Sequence, residues 1–96
     1  MPRTRASWEP AHTPFFYAAL DANKVVFTDT HIVHHVIATN NGAAVATLQI
    51  FSGATQIGSL SVPAYTTANW LRSPGLQITD LNITPSAALD VTVTIA

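Results

Sequence analysis

An all-β fold is predicted by this sequence: an antiparallel β-sandwich or jelly-roll-like barrel of about seven to eight short strands, behind an extended N-terminal arm. Three observations lead there. Short runs rich in Val, Ile and Thr recur at spacings of roughly 10 residues with turn residues between them, and no segment carries a helical period. The closing stretch Leu89 to Ala96 alternates cleanly, with Leu89, Val91, Val93 and Ile95 on one face and Asp90, Thr92 and Thr94 on the other. Between His31 and Ser52, two β-rich runs flank Asn40, Asn41 and Gly42, residue types that tolerate the positive φ of a tight hairpin.

Residues 1–14 read as an arm and residues 15–96 as a single domain. Pro2, Pro10 and Pro14 argue against a helix or a central strand in the arm, which carries Arg3, Arg5 and His12, with Trp8 as an apolar anchor. A disordered tail is the plain alternative. Phe15 to Leu20 and Lys24 to Thr28 then form two short strands around a turn at Asp21, Ala22 and Asn23. One helical turn at Ala18 to Leu20 would be too short to stand alone.

In the hairpin reading, with Asn41 and Gly42 as central turn residues, Thr39 pairs with Ala44, Ile37 with Ala46, His35 with Leu48 and His34 with Gln49. His35 then shares a face with Val33 and Ile37, and a three-residue loop would reverse every partner. A second turn at Ser52, Gly53 and Ala54 leads into Thr55 to Val62. There the apolar parity changes between Ile57 and Leu60, which predicts a bulge at Gly58. Pro63 stops that ladder, and Ala64 to Pro74 reads as a polar connection. Leu76 and Ile78 point one way and Leu81 and Ile83 the other, so the chain must bend or bulge near Asp80. Pro85, Ser86 and Ala87 make the last turn.

Charged residues are only 9% of the 96, against about 25% in an ordinary domain, while hydrophobic residues make up 48% and mean hydropathy is +0.28. Solubility as a separate monomer normally relies on mixed surface charge, so this balance points to an assembly component. A net charge of −1 offers no basic field for phosphates, and nucleic-acid binding is not expected. There is no cysteine, hence no disulfide or thiolate site. The first residues lack the apolar core of a secretory signal, and no run approaches the ~18 apolar residues of a membrane span. Cytoplasmic synthesis without export follows as the expectation.

His31 and His35 share a strand face but lie about 13 Å apart at ~3.3 Å per residue, too far to ligate one ion, and His34 points the other way. No metal or cofactor is therefore expected. Glu9, Asp21, Asp29, Asp80 and Asp90 mostly fall at turns, where carboxylates cap backbone, and no serine sits in a nucleophile elbow. Enzymatic activity is not expected. Trp8, Tyr65 and Trp70 lie outside the best strands and are candidates to stack on sugars or anchor a partner, with His34 a possible subunit contact.

The stretches VIATNNGAAVATLQIFSGATQIGSLSVPAYTTANWL and GLQITDLNITPSAALDVTVTIA resemble small structural proteins of tailed-bacteriophage virions, especially capsid cement or decoration proteins. Thr-rich short strands, a V-P-A turn and a closing L-x-V-x-V-x-I strand carry the resemblance. It implies a homo-oligomer, with a trimer favoured, whose arm laces over the major capsid protein or another virion protein. Trp8, Phe15, Phe16 and Tyr17 would then be the anchors, and Arg3 and Arg5 would meet acidic capsid residues. A receptor- or carbohydrate-binding module of a tail or fibre, using Tyr65 and Trp70, is the alternative.

Overall fold

The computed structural model describes residues 13–95, with their side chains apart from those at 13 and 71–74. Eight strands follow in order: β1 (Thr13–Leu20), β2 (Lys24–Val25), β3 (Thr30–Thr39), β4 (Ala46–Ser52), β5 (Thr55–Val62), β6 (Thr67–Thr79), β7 (Leu81–Pro85) and β8 (Leu89–Ile95). They form two antiparallel four-stranded sheets with orders β1-β8-β3-β6 and β2-β7-β4-β5. That interleaving is the jelly roll, in which nearly every connection crosses from one sheet to the other.

The alternation read in β8 places its apolar side chains in the core. Leu89, Val91, Val93 and Ile95 are all at most 4% exposed, and they meet Leu81 and Ile83 from β7, Leu48 and Ile50 from β4, and Val36 from β3. Because β8 and β7 hold inner positions in their sheets, their apolar faces are covered on every side. Edge strands β1, β2, β5 and β6 supply the half-buried rim, including Phe15, Tyr17, Leu60 and Trp70.

Asn40, Asn41 and Gly42 do not make a hairpin. Strand β3 pairs with β6 and β8, and β4 with β5 and β7, so residues 40–45 arch from one sheet to the other. The expected pairs of His35 with Leu48 and His34 with Gln49 do not exist. Nor do these three residues adopt positive φ. Asn40 acts instead through its side chain: it is 2% exposed, its Nδ2 donates to the carbonyls of Ala44 (2.8 Å) and Val62 (3.0 Å), and its Oδ1 accepts the Gly42 amide at 2.8 Å. Its own amide donates to Thr66 O at 2.8 Å, so one residue joins the arch to the end of β5 and the turn before β6.

Among the described strands, only β4 and β5 are both consecutive and paired, through Gly53 and Ala54. Gly53 has φ 59, a conformation that glycine adopts without steric penalty. The β5 bulge leaves Ile57 unpaired between the Ile50–Gly58 and Phe51–Gln56 pairs, one residue from the expected position. Asp80, at φ 58, carries the chain between sheets: its amide donates to Asp29 O (3.1 Å) and its carbonyl accepts from Gly53 N (2.8 Å). The parity change expected there is this crossing.

Residues 67–74 belong to β6 rather than to a polar connection. Its half-buried Ala68 and Trp70 alternate with exposed Thr67 and Asn69, a strand pattern in which a small alanine hides the apolar signal. Val33 and His35 do not share a face, because His34 is an extra residue between the Val33–Ile95 and His35–Thr94 pairs. That bulge turns Val33, Val36 and Ala38 all inward and leaves His35 beside Ile37 on the outer side.

Candidate functional site

Strand β1 is where the expected partner-binding residues and an open sheet edge coincide. Among the described residues it pairs only with β8, matching Pro14 to Thr94, Phe15 to Val93, Phe16 to Thr92 and Tyr17 to Val91. Since Val91 and Val93 face the core, Phe15 and Tyr17 turn inward against it and Phe16 turns outward at 62% exposure. Of the proposed anchors, Phe16 alone is presented on this strand. Arg3, Arg5 and Trp8, like His12, lie outside the described residues. Phe16 opens an outer row that runs to Thr92, Ile37 and Asn69, none of them ionised. Pro14 and Thr94 begin the next row beside His35.

The end of β1 is shaped by a bulge between Tyr17 and Leu20, where Ala19 takes φ 47. The amide freed by the bulge donates to Asp90 Oδ1 at 2.8 Å, and Oδ2 of the same carboxylate accepts Asn41 Nδ2 at 3.0 Å. Asp90 therefore ties β1 to the arch after β3. Around it lies a cleft of about 410 Å³ lined by Ala19, Ala43, Ala44, Ala87 and Ala88. A second hollow of about 320 Å³ lies among Thr47, Gln49, Thr84 and Ser86. Among the described residues, Asp90 is the one titratable side chain lining the first cleft, and none lines the second. The sequence carried no local sign of the cleft, because its walls come from three separate connections.

Tyr17 has the Lys24 ammonium 5.5 Å from its ring centroid, within cation–π range. Burial raises its phenol above the ordinary value near 10. With a raised folded-state pKa, this contribution to stability is fully present below pH ~10 and is lost as pH rises further, because the unfolded chain ionises first. Stability is expected to fall more steeply above pH 10 in the native protein than in Tyr17→Phe, measured by denaturant unfolding across that range; parallel curves would contradict it.

The remaining candidates are dispersed. His31 Nε2 meets Asp29 Oδ1 at 2.8 Å, and its ring packs edge-on to Phe27 at 4.7 Å. His34 occupies the β3 bulge, 6.4 Å from the His35 ring. Among the described residues, no three His, Asp or Glu side chains are grouped as a metal ion would need. Tyr65 stands 73% exposed in the turn after Pro63, with φ 58. Trp70 is half-buried in β6, not in a loop, with its ring laid over Gly58 of β5: a Cβ built there would come within 2.8 Å of Cε2. The ring thus closes the side of the barrel between edge strands and is not an open stacking platform.

No family model, curated protein or solved structure matches this chain.

Proposed function

We propose that this chain is a non-enzymatic structural protein of a tailed-phage virion, one that binds the capsid lattice and adds cohesion to it. The observation that carries the reading is β1, a charge-free and apolar edge strand that presents Phe16 where residues 1–12 join the domain. A protein that works alone normally blunts such an edge with charge. The outer row from Phe16 to Asn69 continues the same neutral surface, which suits permanent contact with other subunits more than free diffusion.

In this reading residues 1–12 grip the major capsid protein, with Trp8 filling an apolar recess and Arg3 and Arg5 meeting carboxylates, while the jelly roll stands on the lattice. The protein is made in the host cytoplasm and resides in the virion. Trp70 packs on Gly58 and leaves Tyr65 as the single well-exposed ring of the saccharide alternative, so the structural role is favoured.

Deleting residues 1–12 tests it, since β1 begins at Thr13 and its ladder stays intact. The full chain is expected to sediment with capsids of the phage that encodes it, and the truncated chain to stay in the supernatant with an unchanged melting temperature. Equal binding by the two would overturn the role given to this segment.

A further inference from the structure

We infer that β1 pairs edge to edge with β1 of a second copy of this chain, antiparallel about a two-fold axis beside Phe16. Among the described residues the outer edge of β1 is unpaired; the strand is eight residues long, Thr13–Leu20, and contains no charged side chain. An antiparallel copy therefore meets no like charge at any register. Strand β2, the edge on the same side of the other sheet, is two residues long and carries Lys24, a common guard against edge pairing.

The backbone restricts the register further. Proline in a sheet sits where its missing amide would face away from the ladder. Alternate residues of an antiparallel strand direct both N–H and C=O to one side. Phe16 has the parity of Pro14, so both of its backbone groups face the open edge. Placing Phe16 against Phe16 of the second copy lets those groups exchange two hydrogen bonds and sets each Pro14 carbonyl opposite residue 18 of the other chain. Pro14 at one end and the bulge after Tyr17 at the other confine the pairing to this stretch. A slip by one residue would set inward-facing amides against the partner.

The side chains agree with that centre. Phe16 projects from the outer face at 62% exposure, and the two-fold pair sets it directly across from its equivalent, an arrangement in which aromatic rings stabilise one another. Two four-stranded sheets become one continuous sheet, and the exposed Phe16 is covered. Such a contact is isologous and closes on itself, so it yields dimers and not fibres. It differs from the trimer implied by the resemblance. An edge pair buries less than a standard interface, so the dimer is concentration-dependent.

Sedimentation velocity on the isolated full chain over a range of concentrations tests this. The native protein is expected to approach dimer mass. Phe16→Glu and Phe16→Lys should each remain monomeric, because like charges face each other across the axis, and an equimolar mixture of the two should recover the dimer. Both replacements sit on an exposed position, and unchanged melting temperatures confirm the fold. A native protein that stays monomeric, oligomers that survive both variants, or a mixture that remains monomeric would each overturn the inference. The inference rests on the reading of the chain as an assembling protein, but no capsid enters the experiment, so its failure is distinct from a failure of capsid binding.

Discussion

Asn40→Ala is expected to lower the unfolding free energy by about 3 kcal/mol, the sum of modest penalties of ~1–3 kcal/mol for each buried group left without a partner. The Val62 carbonyl loses its Asn40 donor in a buried setting, while the Ala44 carbonyl and the Gly42 amide lose theirs where water has partial access. Asn40→Asp should be worse still. An aspartate keeps the bond from Gly42 but turns a second oxygen towards two carbonyls, and it places a charge where the native side chain is 2% exposed. Urea titration measures both; a loss below ~1 kcal/mol for either would show that the arch does not depend on this side chain. The slope of the unfolding line should stay constant, since the native surface hardly changes.

Trp70→Ala is expected to have a similar effect, about 3 kcal/mol or more, because a large aromatic ring packed at the rim of the core is removed and the space between β5 and β6 cannot close fully. Gly58 provides an internal control. Its missing Cβ would lie 2.8 Å from the ring, so Gly58→Ala should destabilise the native chain by ~1–3 kcal/mol through overpacking. Once the ring is gone that clash disappears, and alanine stiffens a strand where glycine loosens it. In the Trp70→Ala background, Gly58→Ala should therefore be neutral or stabilising. The difference between the two backgrounds is the coupling energy, and additive effects would contradict the packing described here.

How far the fold was legible follows from which signals are local. Strand β8 was readable because Leu89, Val91, Val93 and Ile95 face one core without interruption. The crossing at Asp80 announced itself as a parity change, as did the β5 bulge near Gly58. Val33 and Val36 carried the same kind of signal three residues apart, and it identifies the bulge at His34 once β8 is known to pair there. The Asn40–Gly42 segment misleads for a physical reason. Its residue types suit a tight turn, but the choice between a hairpin and an arch is made by a carbonyl at Val62, 22 residues away. Strand β6 was hidden because an alanine and a half-buried tryptophan stand where larger aliphatic residues would have marked the alternation.

The candidate site was legible in part. The alternation of Phe15, Phe16 and Tyr17 implies that one parity faces out, but deciding which one requires the pairing with Val91 and Val93. Its position at a sheet edge has a single local sign, Pro14. The cleft around Asp90 had none, since Ala19, Asn41 and Asp90 meet only after three connections fold to the same end of the barrel.

Co-sedimentation with intact capsids, with the bound copies counted against the major capsid protein, tests the proposed virion role. Saturable binding of the full chain at a fixed ratio to capsid subunits, lost on removal of residues 1–12, is the expected result. Absence of the full chain from the capsid pellet at saturating concentration would contradict it.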